Sequence, residues 1–250
     1  MIKQILLIFI LLTSTLLAQN TETDLKLNHY PRAIKWLQDA DTNGESANNL
    51  GILYYKTIKD NQKAIRWLEK AYKLNKGILS GQSANSLGYI YDDLKKYKEA
   101  EKWYKIALNY QNIDAPLNLG LMYKKLHQYD DAIFYYKKAY KMGNADAATS
   151  LGYLYGKVLN NPEQSYIWLY KASKNGDLDA IKNLAHLNYS KNKKVEGGAY
   201  FIALIDLKYS KQKVITYLKT KWNLTDKELQ QAYKLQQTLD IPKHYTGGIN

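Results

Sequence analysis

Large and small apolar residues recur along this chain in a fixed order, and the order itself repeats. The pair Leu-Gly stands at Leu50-Gly51, Leu87-Gly88, Leu119-Gly120 and Leu151-Gly152, with Leu184-Ala185 as a degenerate fifth copy; the intervals between second residues are 37, 32, 32 and 33. Three residues past each Gly comes Tyr54, Tyr91, Tyr123 or Tyr155. Twelve or thirteen past it comes a small residue, Ala64, Ala100, Ala132 or Ser165, then a ring three further on (Trp67, Trp103, Tyr135, Trp168) and a second small residue at Ala71, Ala107, Ala139 or Ala172. Small residues seven apart lie two turns along one helix face, where a neighbouring helix can approach closely. The Gly does the same on a preceding helix, against a helix-propensity cost of about 1 kcal/mol. No single helix pair can hide its own apolar face, so successive pairs must stack.

The polar punctuation agrees with helix pairs. Pro31 and Pro162 fall at the predicted start of a second helix and Pro116 at the start of a first, where a missing N–H costs little. Gly44, Gly143 and Gly176 follow second helices and read as helix-ending glycines. The predicted division is an opening helix over 30–43, repeats over about 45–80, 81–113, 114–145 and 146–178, and a degenerate fifth repeat to 210 broken at Gly197-Gly198. Residues 211–240 form C-terminal capping helices, the last opening on a Thr225/Glu228 capping box, and 241–250 form a tail.

The amino terminus changes the picture. Lys3, the apolar run Ile5 to Leu12, Thr13-Ser14-Thr15 and Leu16-Leu17-Ala18 follow the plan of a secretory signal peptide over 1–18, with cleavage near Ala18-Gln19 and a spacer to residue 29. A spanning helix needs about 20 apolar residues, so the segment is too short for an anchor. The expected location is periplasmic or secreted. Cysteine is absent, which removes disulfides and thiolate metal sites. Net charge is +13, and residues 182–222 hold nine lysines against Glu196 and Asp206. Lys191, Lys193, Lys194, Lys208, Lys211 and Lys213 make a candidate basic patch for an acidic partner or an anionic envelope surface. Arginine occurs only at Arg32 and Arg66; base and phosphate recognition leans on arginine forks, which argues against nucleic acid.

These landmarks resemble the tetratricopeptide repeat and its relative, the Sel-one-like repeat, over about residues 30–240. Tyr97-Lys98-Glu99-Ala100-Glu101-Lys102-Trp103-Tyr104 and Tyr129-Asp130-Asp131-Ala132 look like the former. Lys171-Ala172-Ser173-Lys174-Asn175-Gly176-Asp177, and Leu224-Thr225-Asp226-Lys227-Glu228 with Ala232, look like the latter. The resemblance implies an all-α solenoid of stacked helix-turn-helix repeats, coiled as a right-handed superhelix, that presents a groove to a protein or peptide. Carried onto this chain, the groove positions are Asn48, Asn85, Tyr89, Lys125, Tyr153 and Lys157. Some Cys-rich exported Sel-one-like proteins are described as binding or hydrolysing β-lactams; the absence of Cys sets this chain apart from those.

Catalytic patterns are weak. His29, His127, His186 and His244 are scattered, and no cofactor or metal is expected. Gly152 and Gly156 with Lys157 fall one residue short of a phosphate loop. Ser190/Lys193 and Ser210/Lys213 fit S-x-x-K, and Ser46-Ala47-Asn48 and Ser83-Ala84-Asn85 fit S-x-N, but K-T-G is missing. So Lys-rich a composition supplies one or two S-x-x-K matches by chance. The expectation is a non-enzymatic scaffold.

Overall fold

The computed structural model describes residues 30–205, 207, 209–242, 244 and 246–249. The segment read as a signal peptide and spacer lies outside them, as does Lys208. The chain divides into two compact units, Met1–Met122 and Tyr123–Asn250. In the first are α1 (Pro31–Asp39), α2 (Gly44–Leu53), α3 (Asn61–Leu74), α4 (Ile78–Asp93), α5 (Tyr97–Asn109) and most of α6 (Ala115–Lys125). In the second are α7 (Tyr129–Lys141), α8 (Asp146–Tyr153), α9 (Pro162–Ser173), α10 (Leu178–Ser190), α11 (Lys194–Ala203), α12 (Lys211–Lys221) and α13 (Asp226–Gln236). No strand occurs among the described residues. The fold is all-α, of the α-solenoid class: within each unit, antiparallel helix pairs stack on their neighbours.

Local chemistry starts and stops the helices. Asn43, Asp60, Asn161, Asp177 and Ser210 each accept a backbone N–H as N-caps, and Thr225 with Glu228 forms the full capping box. Pro31 and Pro162 open α1 and α9, where no N–H is needed. Between the paired helices the chain reverses through one left-handed residue: Lys59, Lys95, His127, Asn160 and Asn192, at φ +48° to +65°. Gly143 and Gly176, at φ +91° and +80°, end α7 and α9.

The core holds the small landmarks. Ala64, Ala71, Ala100, Ala107, Ala132 and Ala139 have no exposed surface, nor do Leu50, Leu87, Leu119 and Leu151. The rings three past the first small residue are only partly covered in three copies, and two of the four bridge neighbouring second helices edge-on. Trp103 meets Tyr72 at 5.3 Å and Trp168 meets Tyr140 at 5.4 Å. Large buried side chains stand one residue later, at Leu68, Tyr104, Tyr136 and Leu169. Each of the first and last faces its repeat's glycine, as Tyr104 does. A Cβ on Gly51, Gly88 or Gly152 would lie 2.5–2.6 Å from Leu68, Tyr104 or Leu169.

Two expectations about glycine need correcting. Gly44 does not end α1; it opens α2 in the shadow of Asn75, whose side chain would collide with any Cβ there. Gly197-Gly198 does not break the fifth repeat either. Both lie buried inside α11, and Gly197 stands twelve residues past Ala185, at the first small position of a fifth copy. A Cβ on Gly197 would fall 2.7 Å from the Ala185 carbonyl oxygen. Close approach to α10 is why glycine is needed.

The alternation between twelve and thirteen residues also has a structural cause. Where the spacing is thirteen, the first helix ends in a π-helical turn, Tyr54–Ile58 after α2 and Leu154–Val158 after α8. The extra residue is absorbed as a single bulge, the usual form of π-helix. The left-handed residue accordingly sits eight past the glycine at Lys59 and Asn160, but seven past it at Lys95 and His127.

Tyr136 provides a test of the core. Its ring is fully buried and its hydroxyl has no hydrogen-bond partner; burial holds the phenol far above its usual range, so it stays neutral. Removing an unsatisfied buried hydroxyl should help. Tyr136→Phe is expected to raise stability by about 1 kcal/mol, read as a higher urea midpoint. A lower midpoint would mean the hydroxyl has an unrecognised partner.

Candidate functional site: two first-helix grooves

In the first unit, the first-helix face carries a cavity of about 280 Å³ lined by Ile52, Tyr55 and Lys56 from the end of α2 and its π-turn, and by Asn85, Ser86 and Tyr89 from α4. Tyr55 and Tyr89 meet edge-on at 5.9 Å. The Tyr55 hydroxyl donates to Asp93 Oδ2 at 2.9 Å; burial, then that bond, holds its phenol well above the usual range. Tyr89 keeps 51% of its surface. Asn85 has a second job, since its Oδ1 accepts from Asn118 Nδ2 at 2.9 Å. Asn48 Oδ1 likewise accepts from Ser83 Oγ at 3.1 Å. These amides tie successive first helices together, and Asn48 does not line the cavity.

The second unit holds a larger cleft, of about 690 Å³, beside its own π-turn. Tyr153, Gly156 and Lys157 form one wall, and Asn183, His186 and Leu187 of α10 with Lys191 just past its end form another, with Ser165 and Leu169 of α9 also in the lining. Ser165 Oγ donates to the Gly152 carbonyl at 2.8 Å, and a Cβ on Gly156 would strike that same hydroxyl at 2.6 Å. The glycine and serine together keep the wall thin. A smaller cavity of about 240 Å³ adjoins, lined by Lys124, Thr149, Ser150, Asp179 and the shared Tyr153 and Asn183. The Lys124 ammonium sits 5.4 Å from the Tyr153 ring centre, and Tyr153 keeps 49% of its surface.

His186 joins this cleft to an aromatic cluster. Its ring meets Phe201, Trp222 and Tyr217 at 5.3, 5.5 and 6.5 Å, and Trp222 stacks on Tyr189 at 4.2 Å. Burial, then Lys182 and Lys157, holds the imidazole pKa below its ordinary value. The folded state therefore disfavours His186 protonation. Its contribution to stability is complete above the unfolded value of about 6.5 and is lost as pH falls below it toward the lowered folded value. The urea midpoint of His186→Gln is expected to fall less between about pH 7.5 and 5.5 than that of the parent chain. An equal fall would assign the pH dependence to other groups.

The six groove positions taken from the family resemblance thus divide. Asn85 and Tyr89 line the first groove, and Tyr153 and Lys157 the second; Asn48 and Lys125 line neither. Ile52, Tyr55, Asn183, His186 and Leu187 were not anticipated. A register signal was available for three of them, because Ile52 and His186 occupy the same position past the repeat landmark as Tyr89 and Tyr153, and Asn183 is the copy of Ser86. Of the candidate basic patch, the described residues include all but Lys208. Lys191 is on the cleft and pairs with Glu163 at 3.7 Å, Lys193 and Lys194 begin α11, and Lys211 and Lys213 lie in the first turn of α12. A third depression, of about 570 Å³, carries Asp146, Asp177 and Asp179, but Asp177 already caps α10 and accepts from Thr149. Among the described residues, no three His, Asp or Glu side chains group as metal ligands, and no helix is long and apolar enough to cross a membrane.

The Sel1 repeat profile matches residues 44–76 and 145–177, and the tetratricopeptide repeat profile matches 81–114 and 113–142. The first pair are the two repeats with π-turns. No curated protein sequence matches the chain. Among solved structures, the chain is similar to c5321, a protective antigen of uropathogenic Escherichia coli strains with an SLR fold, at TM-score 0.61 and 26% identity. That match covers 83% of this chain and 48% of the antigen, so the chain spans about half the length of that protein. A Sel1 repeat protein from Oxalobacter formigenes aligns at TM-score 0.48 and 22% identity, over 78% of this chain and 72% of that one. YrrB, described as a TPR protein with an unusual peptide-binding site, aligns at 0.47 and 18%, over 75% of this chain and 97% of its own. The repeats of this chain are therefore of the Sel1 and tetratricopeptide kinds, two matched segments of each, in an array similar to those of Sel-one-like repeat proteins.

Proposed function

We propose that this chain is an exported scaffold that holds a protein or peptide segment against its first-helix faces, with no catalysis of its own. One observation carries the reading. Tyr89 and Tyr153, each one residue past a repeat glycine, stand half exposed as walls of grooves beside a π-turn. A half-exposed tyrosine offers flat area and a hydroxyl at low entropy cost, and rings of this kind dominate binding energy at interfaces. Repeat arrays of this class present such faces to protein or peptide partners. Export rests on the charged start, apolar centre and small cleavage-site residue of positions 1–18.

Photo-crosslinking in cells tests both parts. A crosslinking residue at position 89 or 153 is expected to capture a defined partner, while one at Phe134, which is 60% exposed on a second helix, is not. Equal capture from all three positions would remove the groove reading. Mass analysis of the envelope and medium fractions should find a chain beginning near Gln19; a full-length cytoplasmic chain would defeat export.

A further inference from the structure

We propose that the cleft of the second unit selects an acidic peptide segment, bound in extended form, with carboxylates toward Lys124, Lys157, Lys182 and Lys191 and apolar side chains against Tyr153 and Leu187. This rests on the scaffold reading above and adds the chemistry of the partner. Charge complementarity carries it. Lys157 and Lys191 line the cleft with Tyr153, and Lys124 lines the adjoining cavity that shares Tyr153. Lys182 lies one helical turn before His186 and acts on that ring together with Lys157. Against these four cations stand Asp179 in the lining of the smaller cavity, Asp177 bonded to Thr149 of that lining, and Glu163, largely solvent-exposed and 3.7 Å from Lys191. An exposed ion pair of that length contributes little, so a ligand carboxylate can replace Glu163 at small cost.

The shape of the groove selects among anions. A free phosphate or carboxylate has no use for the apolar surface of Leu187 and Tyr153, nor for the Asn183 amide that lines the cleft with them. A flat bilayer surface cannot follow a cleft between helices to its floor. An extended peptide can do both, placing alternate side chains on opposite sides and giving the amide a backbone partner. The first unit's groove serves as an internal contrast. There Lys56 is the one cation in the lining, and Asp93 takes the Tyr55 hydroxyl.

The test uses the full chain and fluorescence anisotropy with labelled peptides of alternating Glu and Leu, and of alternating Gln and Leu. The Glu peptide is expected to bind more tightly, by about tenfold at low salt, and to lose that advantage as salt is raised. Lys157→Gln combined with Lys182→Gln is expected to weaken the Glu peptide about three- to tenfold and to leave the Gln peptide unchanged. Both lysines are exposed, so an unaltered thermal melt is expected to accompany the loss. Equal binding of the two peptides overturns the proposal, as does loss of both in the double variant. Displacement of the Glu peptide by phosphate at equal concentration, or tighter binding to phosphatidylglycerol vesicles than to peptide, would likewise overturn it. If the Gln peptide binds as well as the Glu peptide and both need Tyr153, the acidic preference fails while the scaffold stands. If no peptide binds and crosslinking bypasses both grooves, the scaffold reading fails as well.

Discussion

Tyr104→Ala is expected to destabilise the first unit by about 3–5 kcal/mol, the range for removing a large ring from a closed core. Tyr104 has no exposed surface, and burial holds its phenol far above the usual range, so it remains a neutral core side chain at any working pH. Its ring lies across from Gly88, where a Cβ would meet three ring atoms at 2.5, 2.7 and 2.9 Å. The pair therefore supports a sharper experiment than either variant alone. Gly88→Ala should destabilise the parent chain through overpacking. In the Tyr104→Ala background, the new methyl enters vacated space and gains about 1 kcal/mol of helix propensity, so the same change should become neutral or favourable. A double-mutant cycle in urea is expected to give a coupling of about 1–3 kcal/mol. Additive effects would show that the two residues do not touch.

Gly197→Ala has the second largest expected effect, and its sign runs against the usual rule. In an exposed helix, glycine to alanine gains about 1 kcal/mol. Here the added Cβ would lie 2.7 Å from the Ala185 carbonyl oxygen and 3.2 Å from the Tyr189 amide nitrogen, both backbone atoms of α10, and 3.0 Å from the Trp222 ring. A side chain can rotate away, but a helix backbone must move as a body. Overpacking costs typically about 1–3 kcal/mol, so a net loss of about 1–2 kcal/mol is expected. The loss should come with a change in tryptophan fluorescence as Trp222 shifts on Tyr189. Gly156→Ala, which meets only the Ser165 side chain, should cost less. An unchanged or raised urea midpoint for Gly197→Ala would mean that α10 and α11 are not this close.

Much of the fold is legible in the residues because stacking imposes a period. Leu50, Leu87, Leu119 and Leu151 and the paired alanines read as buried because size recurs with position, and they are buried. Thr225 with Glu228, Pro162 and Gly143 act through the backbone within a turn or two of themselves, so their roles need no tertiary knowledge. The positions that mislead depend on what lies opposite. Gly44 follows a helix and reads as its end, yet Asn75 makes it a glycine. Gly197 sits at a small-residue position that is alanine or serine in the other four copies, and the doubled glycine reads as a break. Leu68, Tyr104, Tyr136 and Leu169 switch from leucine to tyrosine and back, which hides a buried core position of the repeat behind a change of residue type.

The candidate site was legible only as far as it follows register. Tyr89, Asn85, Tyr153 and Lys157 line grooves, whereas Asn48 turns its amide to Ser83. The spacing of twelve or thirteen residues was visible, but not that the extra residue becomes a π-turn beside each groove.

Taken alone, the order of residues determined the helix pairs, their phase and the face each pair buries, because these follow from periods of three to seven residues and from caps that act locally. Tertiary structure decided which glycines mark contact rather than termination and which side chains share a cleft. Tyr153 and His186 stand 33 positions apart in the chain and share a cleft only because successive first helices pack side by side, a relation that no local pattern encodes.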